Sequence, residues 1–536
     1  MSLNPKMLSL AIMMSLAGTA AAANTDHPAV GRALGLLQTH GAAARASAND
    51  KFIATDVIVD RDGTEHVRFD RTYKGLPVIG GDLVVHSRAG QLQSASLTQS
   101  AALNLSTRAS LSASDAVVSA GAEFGSNFSG TPSTSLVVFA RDKGAAKLAY
   151  RVGFQGADSD GNPVDSTYIV SASNGRVLDR WSNIETGKPS TGTTCSSPTA
   201  AVGTGNTLYS GAGVVLNTTS CGAGATFQLK DATRGGGYTT NMANSTSGSG
   251  TLYSGPDNTW GNGTVSSLET AAADAHFGIA ATWDYFKNVH GRNGIDGAGT
   301  GALSKVHYGR NYVNAFWSDG CYCMTFGDGD GVTYGPLVNL DVAGHEMTHG
   351  VTSRTAKLVY SGESGGLNES TSDIFGTMVE FAVNSPSDVP DYLIGEELYI
   401  SNPGNAKAFR YMYNPALEGA GRSVNCYSST IGSLDVHYSS GPSNHFFYLL
   451  AEGSAAKTFS NGTITSPTCN GSSVTGIGRA AAEKIFYRAL TVYMTSSTNY
   501  AGARVATLKA ATDLYGGAGT ANYDAVAAAW SAVNVN

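Results

Sequence analysis

The spacing of apolar positions along the chain changes character twice. Residues 52–59 are mostly apolar and break at Asp60-Arg61-Asp62-Gly63, a turn composition. Residues 66–73 then alternate polar and apolar, the period of a half-buried strand, before turning at Lys74-Gly75-Leu76-Pro77. Stretches 83–86, 136–140, 147–154 and 166–172 read as further strands, with Asn174-Gly175 as a hairpin turn before residues 176–181. Residues 112–120 have the helical period, with Ser112 or Ser114 as cap. Residues 24–185 are therefore expected to be α+β, sheet-rich with few helices. Residues 186–204 hold Gly, Ser, Thr and Pro with almost no large apolar side chain, the composition of an exposed linker and processing region. Strand-like text resumes near Asn206 and runs to Ser266. A helix over 269–290 carries Phe277, Trp283 and Phe286 and stops at Gly291, a good C-cap. Strands follow over 305–326, and after Asp341 the period becomes helical, ending with 477–494, 500–515 and 523–533.

Composition narrows the class. The 536 residues leave room for several folding units, and 42% hydrophobic residues suffice for sizeable cores. Only 14% are charged and the net charge is −7, which argues against a nucleic-acid or anionic-membrane partner. Beyond the N-terminus, no segment reaches the roughly 18 apolar residues of a spanning helix. At the N-terminus, Lys6, an apolar run over 7–16 and Ala21-Ala22-Ala23 read as a secretory signal over 1–23. Six cysteines fit an oxidising destination. Neighbourhood in sequence favours the pairs Cys195–Cys221, Cys321–Cys323 and Cys426–Cys469, whereas a cysteine zinc site would call for Cys-x-x-Cys spacing.

The chemistry concentrates at His345-Glu346-Met347-Thr348-His349. On a helix, positions i and i+4 share a face, so the two imidazoles can hold one zinc ion. Glu346 can then reach a water there as general base. Glu369 follows His345 by 24 residues, enough for the first helix to end near Thr352, a loop through 361–366 and a second helix. Two histidines, one glutamate and an open position make a catalytic set. Asp373, at i+4 from Glu369, can hold the far nitrogen of a zinc histidine.

Several motifs carry a resemblance. They are Asn314-Ala315-Phe316-Trp317, Phe326-Gly327-Asp328-Gly329-Asp330-Gly331, the His-Glu helix, Gly366-Leu367-Asn368-Glu369 with Ser372-Asp373, and Asp435-Val436-His437-Tyr438-Ser439-Ser440-Gly441-Pro442. Together they resemble the thermolysin family of secreted metalloendopeptidases over about 205–536. Asp435–Pro442 and Arg410-Tyr411-Met412 are similar to its pseudolysin branch, and the Cys-x-Cys pair resembles actinobacterial members. Residues 68–78 resemble the family's propeptide and residues 110–184 its PepSY module.

The resemblance implies a two-lobed catalytic unit, strand-rich over 205–340 and helical over 341–536. Before it would lie a propeptide over 24–108, a PepSY-like module over 109–185 and the linker over 186–204. It implies zinc on His345, His349 and Glu369, with Glu346 as base. Tyr360 and His437 would donate to the oxyanion, with Asp435 orienting His437; an acid–base role for His437 is the other account. Asn314, Ala315 and Arg410 would hold the substrate backbone, and Tyr334, Leu337, Val342 and Phe409 would line the pocket after the scissile bond. Asn368 and Asp373 would support the histidines. Structural calcium would sit on Asp341, Glu380 and Asp391, with Asp388 as a rival. The partners implied are protein or peptide substrates and the chain's own propeptide as chaperone and inhibitor, on a secreted monomer. A catalytically silent binding protein of the same fold is the alternative, and would lack Glu346 or a ligand. Residues 158–162 and 327–331 imitate calcium loops but read as turns. His66, His86, His307 and His445 read as ordinary packed or sheet histidines.

Overall fold

Alternation along β2 (Thr64–Tyr73) builds the first half of the molecule. In the computed structural model, which describes residues 26–536 apart from 126, 142–143, 158–162, 184–194, 196, 223–225, 403–406, 420–421 and 460–461, this strand uses both faces. Val67 and Phe69, with Leu83 and Val85 of β4 (Leu83–Arg88), bury against Ala29, Ala33 and Leu37 of α1 (Pro28–Thr39). His66, Arg68 and Asp70 point the other way, as the two-residue period of a strand requires. A nine-stranded sheet results. It adds β1 (Asp50–Val59), β3 (Leu76–Ile79), β5 (Gln91–Leu97), β6 (Asn127–Phe139), β7 (Lys147–Ala157), β8 (Pro163–Ser171) and β9 (Val177–Ser182). The strand order is β5-β4-β2-β3-β6-β7-β8-β9, with β1 on β2. Helix α2 (Ala113–Phe124) starts at a Ser112–Asp115 capping box and covers Phe154 and Tyr168. Helix α1 was not foreseen, although its buried Ala29, Ala33, Leu36 and Leu37 recur at the helical period. The leader and the turn at 158–162 fall outside the described residues.

A second correction concerns the linker. Strand β10 (Thr199–Asn206) begins inside the stretch expected to be linker and pairs antiparallel with β11 (Ala212–Ser220). Its side chains are small and Val202 is exposed, so ladder hydrogen bonds rather than apolar burial define it. The Cys195–Cys221 disulfide closes the open end of this hairpin, and Cys321–Cys323 and Cys426–Cys469 form as expected.

Helix α3 (Leu268–His290) runs from the Ser267 cap to left-handed Gly291. Beside it lie β12 (Gly237–Asn241), β13 (Leu303–Val306), β15 (Cys323–Phe326) and the edge strand β14 (Ala315–Ser318). Helix α4 (Leu340–Ser353) is buried almost throughout. Val342, Ala343 and Met347 join the core of the strand-rich lobe, while Leu340 and Val351 join that of the helical lobe. The α4 helix is thus the seam between lobes. Helix α5 (Gly362–Val383) crosses it at Gly344 and Gly376, where a Cβ on Gly376 would sit 2.4 Å from the Asp341 carbonyl oxygen. Only glycine permits this approach. The loop expected over 361–366 is helix from Gly362 onward, and the connection is 354–361. The helical lobe continues through α6 (Val436–Ser439), α7 (Gly441–Glu452), α8 (Arg479–Arg488), α9 (Tyr500–Tyr515) and α10 (Ala521–Ala532). The helix expected over 477–494 changes to a π turn, Ala489–Tyr493.

The free face of the first sheet docks on this lobe. Buried Arg68 donates to the Met494 and Thr491 carbonyls at 2.9 and 3.2 Å. Arg488 pairs with Asp60 at 2.5 Å, and the Ser496 amide donates to Asp82 at 2.8 Å.

Candidate active site

Because α4 and α5 cross so closely, two histidines and a glutamate meet. His345 Nε2 and His349 Nε2 are 3.0 Å apart. Glu369 oxygens lie 3.5 Å from the first and 3.3 Å from the second. Bonds of about 2.0–2.1 Å in tetrahedral array place ligand atoms roughly 3.3 Å from one another, so the three fit a zinc ion. Each far nitrogen is occupied: His345 Nδ1 faces Asp373 Oδ1 at 2.9 Å, and His349 Nδ1 faces Asn368 Oδ1 at 2.8 Å. That fixes both Nε2 atoms inward. The field favours a cation: burial opposes a charge on His349, yet Glu369 pushes its pKa up to about 9.

Glu346 is 5% exposed, and its Oε2 has no hydrogen-bond partner. Burial raises its pKa, which suits a proton acceptor and donor. The Tyr360 hydroxyl donates to Glu369 Oε1 and lies 3.2 Å from His437 Nε2. His437 Nδ1 faces Asp435 Oδ1 at 2.7 Å. Burial lowers the His437 pKa, but Glu369 and then Asp435 more than offset this and raise it. Asp373 accepts two bonds from Arg410, at 2.7 and 2.6 Å, and one from Asn444 at 2.7 Å. Glu346, Tyr360, Glu369, Arg410, Asp435 and His437 border a cavity of about 840 Å³.

Known proteins match in the same places. The family model described as Thermolysin metallopeptidase, catalytic domain, matches residues 202–353, and its alpha-helical domain matches 356–535. The Fungalysin/Thermolysin Propeptide Motif matches 50–98. Thermolysin of Alicyclobacillus acidocaldarius is 37% identical over 89% of this chain and 84% of its own length. The chain belongs to the thermolysin family. A transglutaminase-activating metalloprotease of Streptomyces mobaraensis is 48% identical over 91% of this chain, which spans 61% of that relative's length. Among solved structures, the precursor of protealysin, a metalloproteinase from Serratia proteamaculans, is 30% identical over 56% of this chain and 87% of its own, with TM-score 0.43. The family is zinc-dependent and binds calcium.

In this thermolysin-family cleft, Asn314 and Ala315 border the cavity beside edge strand β14, whose outer backbone is free to pair with an extended peptide. Of the four side chains expected around the pocket, Leu337, Val342 and Phe409 line it, and Tyr334 does not. The Tyr334 ring instead packs behind, 5.3 Å from Phe409 and 4.9 Å from Tyr399. Ile394 takes a place in the wall that sequence reasoning missed.

The residues expected to hold calcium fall in one acidic region of the fold. Glu380, Asp388 and Glu396 bring one carboxylate oxygen each within 4.8 Å of the others. Both oxygens of Glu380 and Glu396, and Asp388 Oδ1, are buried without a hydrogen-bond partner, which fits a hard cation. Asp341 borders this cluster, where its charge repels all three carboxylates, and holds the Gly395 amide at 2.6 Å and the Val342 amide at 2.6 Å. Asp391 Oδ1 accepts from the Leu393 amide at 2.7 Å. The turn after Asn384 brings Asp388, the rival ligand, into the cluster. The spacing of Asp391 and Glu396 was a usable signal, since both lie in the stretch 391–396. At 327–331 the acidic run is a turn, as expected: Asp330 Oδ1 caps the amides of Val332, Thr333 and Tyr334.

Proposed function

We propose that this chain is a secreted zinc endopeptidase, made as a zymogen, that cuts on the N-terminal side of large hydrophobic residues. The observation that carries it is the convergence of His345, His349 and Glu369 beside an unpartnered, buried Glu346. Zinc, when held by those three, would polarise the scissile carbonyl and lower the pKa of the attacking water. Glu346 takes a proton from that water and delivers it to the leaving amine. The Tyr360 hydroxyl and the His437 Nε2–H face the position where the carbonyl oxygen gains charge, and Asp435 holds His437 in that orientation. Arg410, kept in place by Asp373, and Asn314 and Ala315 grip the peptide backbone.

Specificity follows from the wall formed by Leu337, Val342, Ile394 and Phe409. None can pair with a charge, so a Lys or Asp would enter at a desolvation cost. A Leu or Phe would bury apolar area worth roughly 1.5–3 kcal/mol, about one to two decades in rate. Calcium would sit on Glu380, Asp388 and Glu396. We read residues 1–23 as leader, 24–108 as propeptide, 109–185 as a PepSY-like module and the stretch before β10, 186–198, as the processing region of a monomeric precursor. Pro-region side chains support the zymogen reading, because Ile79, Trp181 and Asn183 border the catalytic cavity. A peptide-library digest tests the function. Cleavage before Leu and Phe, abolished by a chelator and restored by zinc, is expected; a preference for Lys, Arg or Asp there would overturn the pocket.

A further inference from the structure

Strands β2 and β4 set His66 opposite His86 in register. They lie on the sheet face that meets α8, the π turn and α9, and are only 4% and 3% exposed. Their Nδ1 atoms are 2.7 Å apart. His66 Nε2 lies 3.1 Å from Asp60 Oδ2 and 3.2 Å from Arg488 Nη2. His86 Nε2 lies 2.9 Å from Ser96 Oγ. From the catalytic half, the Tyr493 ring covers both imidazoles, with centroids at 6.2 and 5.0 Å. Asp513 of α9 holds Arg488 at 2.9 Å and the Tyr493 hydroxyl at 2.5 Å. Lys509 stands over the same ring at 5.4 Å. Arg68, next along this face of β2, reaches the Met494 and Thr491 carbonyls. The charged groups around the pair are therefore Asp60, Arg68, Arg488, Lys509 and Asp513.

Two ring nitrogens this close need one proton between them, one donating and one accepting. With both rings neutral the chain is complete. Asp60 accepts from His66 Nε2–H, His66 Nδ1 accepts from His86 Nδ1–H, and His86 Nε2 accepts from the Ser96 hydroxyl. One extra proton can enter at His86 Nε2 if the Ser96 hydroxyl turns to accept, or at His66 if His86 takes its other tautomer and donates to Ser96; either places a new cation among Arg68, Arg488 and Lys509. A second would set two N–H groups head to head. Three cations already stand here against two carboxylates.

We propose that the His66–His86 pair is a proton-operated latch, so that acidification loosens the docking of the N-terminal sheet on the α8–α9 face. Released into water, each imidazole titrates in the ordinary range near 6.5. Burial lowers the proton affinity of both while docked. Undocking then takes up protons, and the docked state loses ground as pH falls. The proposal concerns docking alone and does not depend on peptidase activity.

The test is hydrogen exchange on the uncut full chain carrying Glu346→Ala, read at the Ser496 amide and along α8 and α9 and corrected for intrinsic rates. Uptake of one net proton raises the opening constant about tenfold between about pH 7.5 and 5.5. A flat profile in this parent overturns the proposal. In the His66→Gln/His86→Gln chain the rise should vanish; a rise as steep as the parent's also overturns it. His86→Gln alone serves where the double variant does not fold, since His66 can then keep its proton while docked and the profile flattens.

Discussion

At Glu346, two demands meet in one carboxylate. It must stay close to His345 and His349 yet accept a proton, and burial supplies the second property by raising its pKa. Glu346→Ala should retain zinc by metal analysis, lose about two to four decades of activity, and accumulate as an uncut precursor on a gel. Normal processing of that chain would show that another protease does the cutting. Asp373 holds a different kind of control. It is fully buried, and burial would raise its pKa, but Arg410 and then His345 bring it down to about 2. Asp373→Asn strands the Arg410 charge, at a cost of about 3–5 kcal/mol in denaturant unfolding, with zinc affinity about 10–100-fold weaker by competition titration. The zinc ligands were legible in the sequence because two are four residues apart and the third sits on the next helix. Asn444 was not legible, since it comes from a helix 71 residues beyond Asp373.

Among elements, the join between α5 and residues 388–396 is the weak point. Burial, and after it repulsion from the surrounding carboxylates, Glu397, Asp341 and Asp391 among them, pushes the Glu380, Asp388 and Glu396 pKa values well up. Groups raised in the folded state bind more protons there than when unfolded. Without calcium, stability is therefore greatest at low pH and falls as pH rises from the ordinary carboxylate range toward the raised values. Calcium removes this dependence by replacing the protons. The gap in melting temperature between calcium-loaded and calcium-free, zinc-containing enzyme should widen from about pH 5 to 8, with autolysis speeding up in step. An equal gap at both ends would count against the cluster. Sequence reasoning found Glu380 and its helix, named Asp341 and Asp391 with Asp388 as a rival, and did not consider Glu396. The inserted turn decides the ligand set, and periodicity does not describe turns. Strand β10 escaped for a similar reason, being held by ladder bonds between small residues.

Over the whole molecule, the deciding contacts join residues that the sequence keeps far apart. Arg68 meets a carbonyl 426 positions downstream, and no local pattern announces that. Arg68→Met keeps the length but leaves the Met494 and Thr491 carbonyls without their donor. Docking should weaken by about 1.5–3 kcal/mol, or roughly one to two decades, visible as faster exchange of the α8–α9 amides in the uncut chain. Unchanged exchange would mean the contact contributes nothing. The division into a sheet-rich first half and a helical end was legible from the two periods, whereas the docked face reads only as His66, Arg68 and Asp70 alternating with core residues. The Cys195–Cys221 bridge has its own consequence for maturation. It ties the chain just before β10 to the end of β11, so a cut on the N-terminal side of Cys195 lets the pro-region diffuse away. A cut between Cys195 and β10 would sever the backbone yet leave both pieces as one covalent molecule, and the disulfide, not the protease, would then decide when they part.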